Sequence, residues 1–99
     1  MYKRQNIGNT SIDNIEAAKL LNLSVQPNPF KDFTIFSFDN PQQQAFSLII
    51  TDLQGRELRT YTNITSNSVR IDKKELAAGA YLYTLSNQEI SVSGKIVVE

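Results

Sequence analysis

The sequence contains no cysteine, no histidine and no tryptophan, and its 10 basic side chains balance 10 acidic ones. Without cysteine, disulfide bonds, thiolate nucleophiles and cysteine-ligated zinc are excluded. Without histidine, the usual proton shuttle near neutral pH and the commonest transition-metal ligand are missing. A formal charge of zero argues against nucleic-acid binding, which depends on many contacts between basic side chains and phosphates. These absences predict a module that is not an enzyme and uses no metal or cofactor.

Residues 1–22 are rich in polar side chains and differ in pattern from the rest of the chain. The basic stretch Met1–Gln5 resembles the start of a signal peptide, but no apolar run of about 7–15 residues follows it. No segment approaches the roughly 20 apolar residues of a membrane helix, so we expect no export signal and no membrane span here. We predict that residues 1–22 form a partly flexible linker. The less favoured alternative is a short helix over residues 14–21, capped by Ser11 or Asp13.

From residue 23 to residue 99, apolar side chains recur at every second position, which is the period of a β-strand. The clearest strand covers residues 45–51, with Phe46, Leu48 and Ile50 on one face. About seven short strands separated by turns predict an all-β fold, an antiparallel β-sandwich of the immunoglobulin-like, Greek-key type. Further strands are predicted over residues 23–25, 34–39, 56–62, 68–72, 80–86, 90–92 and 95–99. The predicted core consists of Phe36, Phe38, Phe46, Leu48, Ile50, Leu58, Tyr81, Tyr83, Leu85, Ile96 and Val98.

Two connections contain residue types with a clear physical role. Asp52 can accept a hydrogen bond from a backbone N–H two residues further on, and Gly55 tolerates a positive φ. Together they predict a hairpin turn with a bulge. Residues 73–78 are predicted to form one helical or 3₁₀ turn, which ends at Gly79 in the left-handed conformation.

The polar chemistry of the chain favours binding over catalysis. The ten carboxylates are scattered and form neither a calcium loop nor a recognisable catalytic pair, so we interpret them as turn and surface residues. Tyr81 and Tyr83 could stack against a sugar, but their spacing along a strand favours the core. The alternative function that remains open is a non-catalytic adhesive or carbohydrate-binding sandwich.

Four apolar side chains are predicted to face away from the core, namely Ile35, Ile49, Leu82 and Val97. Single exposed apolar residues are normal on a protein surface. A cluster of them on one sheet would instead form a patch suited to a partner. Scatter is the favoured interpretation, and a shared patch is the alternative.

Four short segments follow one another in a characteristic order. They are residues 23–30 (LSVQPNPF), 52–58 (DLQGREL), 76–85 (LAAGAYLYTL) and 94–99 (GKIVVE). In this order they resemble the Pro-Asn-Pro-Phe opening, the Asp-x-x-Gly hairpin, the Gly-x-Tyr strand and the terminal strand of the C-terminal sorting domains of the type IX (Por) secretion system. Each segment alone is a weak signal, whereas the ordered set is specific. The chain departs from the family in ending on Glu99, where members often end on a basic residue.

The resemblance implies a function as a secretion signal. Such domains sit at the C-terminus of longer precursors, pass through the periplasm of Gram-negative bacteria and direct their cargo across the outer membrane to the cell surface. Their partners are the type IX machinery and a sortase-like surface protease, which commonly removes the domain; here the cut would fall before Leu23. We expect a monomer or a weak dimer, because sandwiches have open edge strands.

The resemblance also singles out particular residues. It implies structural roles for the motif residues Pro27, Asn28, Pro29, Phe30, Asp52, Gly55, Gly79 and Tyr81. We further predict that the partner recognises the last strand, through its free backbone edge and its side chains. The residues of this predicted recognition site are Lys95, Ile96, Val97, Val98 and Glu99.

Overall fold

The computed structural model describes residues 14–99 as one helix followed by seven strands. The elements are α1 (Asn14–Leu21), β1 (Ser24–Gln26), β2 (Phe33–Ser37), β3 (Phe46–Thr51), β4 (Glu57–Ile64), β5 (Ser68–Asp72), β6 (Gly79–Ser86) and β7 (Ser91–Val98). One sheet has the strand order β1-β2-β5, and the other has the order β4-β3-β6-β7. All neighbouring strands are antiparallel. The predicted all-β sandwich is confirmed.

Alternating burial along the strands builds the core between the two sheets. In β3, Phe46, Leu48 and Ile50 are buried, while the residues between them are half-buried. The same alternation buries Phe36 in β2 and Tyr83 in β6, whose rings meet edge to face with centroids 4.8 Å apart. Full burial of one such side chain contributes about 1.5–3 kcal/mol. The confirmed core residues are Phe36, Phe38, Phe46, Leu48, Ile50, Tyr81, Tyr83, Leu85, Ile96 and Val98.

The prediction that Leu58 belongs to the core is wrong. The pairing of β3 with β4 shifts by one residue, so that Glu57 pairs with Thr51 while Arg59 pairs with Ile50. Leu58 is the extra residue of this bulge and is 38% exposed. A bulge reverses the side on which the following residues lie, and no simple alternation of residue types marks it in the sequence.

Arg59 takes the inward position and joins the two sheets. Its guanidinium donates hydrogen bonds to the backbone carbonyls of Asp72 and Lys73, the latter at 2.8 Å. These carbonyls lie at the end of β5, in the opposite sheet. The half-buried arginine therefore keeps its charged group bonded while its stem lies along the core.

Residues 14–21 are helical, so the preference for a flexible linker over this stretch is wrong. Ala17 is fully buried and belongs to the core cluster. The helix ends in a Schellman motif, in which the Leu23 N–H donates to the Ala18 carbonyl at 3.0 Å. Asn22 adopts the left-handed φ of 51° that this motif requires. Burial and a well-formed C-terminus together hold α1 on the sandwich.

The predicted helix caps Ser11 and Asp13, and the basic stretch Met1–Gln5, lie outside the described residues. Within residues 14–99, no helix is long and apolar enough to cross a membrane.

The last strand is continuous, so the predicted interruption at Ser93 and Gly94 is wrong. Gly94 pairs with Tyr83 of β6. The Tyr83 ring occupies the space in which a Cβ at position 94 would lie. Gly94 therefore leaves room for the aromatic ring of Tyr83 to pack against the backbone of the strand. Packing of an aromatic ring on a cross-strand glycine is known to stabilise glycines in sheets. Burial of this ring raises the pKa of the Tyr83 hydroxyl.

We expect Gly94→Ala to lower the free energy of unfolding by about 1–3 kcal/mol, because the added methyl group overpacks the core against the Tyr83 ring. Urea denaturation measures the loss. Ser91→Ala, at an exposed position of the same strand, is the control and should leave the midpoint almost unchanged. Equal midpoints for the two variants would show that the ring moves aside without cost.

Candidate functional site

The outer edge of β7 is closed by residues 28–30, which we call the edge clip. The Asn28 side-chain amide donates to the Lys95 carbonyl at 3.2 Å and accepts from the Val97 N–H at 3.0 Å. The Phe30 N–H then donates to the Val97 carbonyl at 2.9 Å, and the Glu99 N–H donates to the Phe30 carbonyl at 2.8 Å. Backbone groups of β7 from residue 95 onward are therefore already paired on this edge.

The sequence of the clip explains its conformation. Pro27 and Pro29 have no N–H to donate, so the chain cannot continue an ordinary ladder here. The Asn28 amide replaces the missing backbone groups, because it offers one donor and one acceptor, as a peptide group does. Phe30 is buried and resumes pairing with the last strand as a parallel bridge. The buried Thr34 hydroxyl holds the turn from below by donating to the Pro27 carbonyl at 2.7 Å.

The clip changes what the last strand offers to a partner. The expected free backbone edge over residues 95–99 is wrong, since the clip occupies it. Ile96 and Val98 are buried in the core, whereas Lys95 and Glu99 are exposed and Val97 is half-buried. Recognition of the strand stays a prediction, and in the folded domain it is limited to these outward side chains.

The hairpin turn between β3 and β4 forms as predicted. The Asp52 carboxylate accepts from the Gln54 N–H at 3.0 Å and from the Arg56 N–H at 2.9 Å. The Arg56 side chain pairs with the same carboxylate at 3.0 Å. The hydrogen bond from the Arg56 backbone is the largest of the effects that hold the pKa of Asp52 below its ordinary value. Gly55 has the positive φ, 89°, that the turn requires.

The segment before β6 forms a turn, and the predicted helical or 3₁₀ conformation over residues 73–78 is wrong. One hydrogen bond, from the Leu76 N–H to the Lys73 carbonyl at 2.9 Å, closes the turn. Gly79 has the positive φ that was expected, 150°, but begins β6. Tyr81 lies in the core and donates its hydroxyl to the Ala77 carbonyl at 2.5 Å. This hydroxyl fixes the turn to the strand, so the ring is not available for stacking on a sugar.

All four motif segments meet at one end of the sandwich, which we call the motif end. The Lys73 N–H donates to the Asp32 carbonyl at 2.8 Å, which joins the turn after the clip to the turn before β6. Thr51 at the end of β3 pairs with Leu82, so the 52–56 hairpin lies beside the start of β6. The motif end therefore comprises the three turns over residues 27–32, 52–56 and 73–78, together with residues 96–99.

The helix α1 lies at the opposite end. The Asp39 N–H donates to the Leu21 carbonyl at 2.7 Å, which places the end of the helix beside the connection that follows β2. Asn87, between β6 and β7, donates to the Gln44 side chain at 2.8 Å on the same connection. The chain thus enters the sandwich at the end remote from its motifs.

The four outward apolar residues do not share one surface. Ile35 pairs with Gln26 and Arg70 and lies on the outer face of the three-stranded sheet. The other three, Ile49, Leu82 and Val97, lie on the outer face of the four-stranded sheet. Three of the four therefore cluster on one sheet, as the alternative interpretation required, whereas Ile35 lies apart on the other sheet.

The fold defines an all-β sandwich domain whose motif residues are gathered at one end. The family model for the secretion system C-terminal sorting domain matches residues 24–99. The comparison with curated proteins gives no match. The chain therefore belongs to the family of type IX secretion C-terminal sorting domains. Membership implies a sorting signal that interacts with the type IX machinery, and export to the cell surface or the extracellular space.

Replacing Asn28 by alanine removes both side-chain hydrogen bonds of the clip. We expect the free energy of unfolding to fall by about 1–3 kcal/mol, since each of the two bonds contributes about 0.5–1.5 kcal/mol. Hydrogen exchange at the Val97 amide should become faster. Asn67→Ala, at an exposed loop position, is the matched control and should change neither quantity. Unchanged exchange at Val97 in Asn28→Ala would contradict the role assigned to the clip.

Proposed function

We propose that this chain directs an upstream cargo through the periplasm and across the outer membrane by way of the type IX machinery. A sortase-like protease at the cell surface then removes the domain. The domain itself catalyses no reaction and acts as an address that a receptor reads.

The arrangement of the two ends of the sandwich carries this proposal. The motif end contains the clip, the 52–56 hairpin, the turn before β6 and the last residues, while the end of α1 lies at the other end of the sandwich. A receptor can therefore hold the motif end without meeting the cargo. Signals of this kind need a defined surface, and the contacts of Asn28, Phe30, Asp52 and Tyr81 hold that surface in place.

The helix α1 restricts where the protease can cut. Proteases act on exposed chain that can enter their active site in extended form. Residues 14–21 are helical, and both Ala17 and Leu21 are buried. We therefore place the cut before residue 14, on the cargo side of the helix.

Fused to the C-terminus of an exported reporter, the full chain should bring that reporter to the cell surface in a host that has the type IX machinery. In the same host without the machinery, the fusion should remain in the periplasm. The location is scored by surface protease accessibility, and the reporter without the chain is the control. Equal distributions in the two hosts would contradict the proposed function.

Removal of residues 1–13 from such a fusion should leave transport intact and prevent release of the domain. The expected product is a surface reporter that still carries residues 14–99, as measured by its mass. In a second variant, residues 1–13 are replaced by a Gly/Ser linker of equal length. This variant tests whether release needs the sequence of residues 1–13 or only the spacing that they provide. Normal release from both variants would place the cut elsewhere.

A further inference from the structure

The outward side chains of the last strand belong to a larger surface on the four-stranded sheet. Leu82 of β6 pairs with Lys95 of β7, and Val97 pairs with Ala80 one step further along. Leu82 and Val97 are thus diagonal neighbours on one face, within reach of each other. Within residues 95–98, Lys95 and Val97 keep their side chains outside the core, whereas Ile96 and Val98 are buried.

This surface continues across the two remaining strands. Ile49 pairs with Thr84, which places it diagonally from Leu82 on the outer face. Leu58, the extra residue of the bulge in β4, follows Glu57, which pairs with Thr51, and Thr51 pairs with Leu82 on its other side. Leu58 and Leu82 are each 38% exposed. We call this surface the outer patch, and it consists of Ile49, Leu58, Leu82, Lys95 and Val97.

The outer face of the other sheet is different in character. Its outward isoleucine, Ile35, is flanked by Arg70, whose guanidinium lies 4.0 Å from the centre of the Phe33 ring. Arg70 also pairs with Asp72 at 2.9 Å. A charged arginine on the edge strand β5, already paired, thus lies beside Ile35 and over the Phe33 ring on that face. The apolar character of the outer patch is therefore not a general property of both sheets.

The charges on the outer patch indicate the chemistry of a partner. Within residues 14–99, Lys95 has no carboxylate within salt-bridge distance, since the ion pairs there are Arg56–Asp52 and Arg70–Asp72. Across the sheet, Glu57 is bonded to the Thr60 hydroxyl at 3.3 Å. The side chains between these two positions are uncharged. An apolar surface with a carboxylate opposite Lys95 would complement the patch.

We propose that the outer patch is the surface that the type IX receptor reads, and that the receptor meets it with apolar side chains and a carboxylate that pairs with Lys95. This inference rests on the proposed function. The clip occupies the backbone edge of β7, and Ile96 and Val98 are buried in the core. A receptor can therefore contact this part of the last strand only through its outer face.

The experiment uses the reporter fusion of the full chain in the host with the machinery. Leu82→Glu and Lys95→Glu should each lower the surface fraction about tenfold, the loss expected from removing one central contact. Lys95→Arg should keep transport, because it keeps the charge. Lys19→Glu, at an exposed position of α1 away from the motif end and the outer patch, is the matched charge control and should transport normally.

A second pair of variants separates the patch from apolar surface in general. Ile49→Ser and Ile35→Ser alter two half-buried isoleucines that face outward from the middle strands of their sheets. The proposal expects Ile49→Ser to lower transport and Ile35→Ser to leave it unchanged. Urea midpoints of all purified variants identify any loss that comes from unfolding, and Lys95→Glu, at an exposed position, remains informative if the apolar variants unfold.

Three results would overturn the proposal. Normal transport of folded Lys95→Glu and Leu82→Glu would exclude the patch as the receptor surface, while wild-type transport would still support the proposed function. A dimer of the wild-type chain in sedimentation, lost in Lys95→Glu, would assign the patch to a second copy. Failure of the wild-type fusion itself to reach the surface would overturn both the function and the patch.

Discussion

The hydrogen bonds between the Asn28 amide and the backbone of β7 close the outer edge of the last strand, and the motif end depends on this closure. An open edge at that position would offer unpaired N–H and C=O groups to any passing strand. The clip satisfies them with a side chain, because the flanking prolines leave too few backbone donors for an ordinary strand. Phe30 then returns the chain to the core. Residues 28–30 and residues 95–99, which are far apart in the sequence, are in this way hydrogen-bonded to one another.

Most of the motif residues that identify the family have structural roles in this chain. Asp52 orders its hairpin, the Tyr81 hydroxyl fixes the turn before β6, and Asn28 closes an edge. Each of these side chains uses polar groups in hydrogen bonds within the domain. A motif that identifies a sorting domain can therefore consist of residues that shape the surface, while other residues, such as Leu82 and Ile49, provide it.

The sequence predicted those parts of the fold in which a regular period determines burial. Phe46, Leu48 and Ile50 alternate cleanly, and their faces were assigned correctly. Leu58 was not, because a bulge changes the phase of β4 and the inward place goes to Arg59, whose partners are backbone carbonyls of another sheet. The last strand was expected to be interrupted at Gly94, because nothing in the sequence indicates that the Tyr83 ring packs against this glycine. The clip could not be predicted from the sequence either, because one of its hydrogen bonds joins residues 69 positions apart and depends on a side-chain amide.

The order of elements along the chain has a mechanical consequence. A pull exerted through the cargo reaches α1 first, then β1, a strand of three residues with a single neighbour in its sheet. The next segment under load is the clip itself, which lies between β1 and β2. Tension from the cargo side is thus delivered to the bonds that cover the last strand before it reaches the central strands of either sheet. If β1 detaches under such a load, the clip bonds along the edge of the terminal strand are the next contacts to carry it.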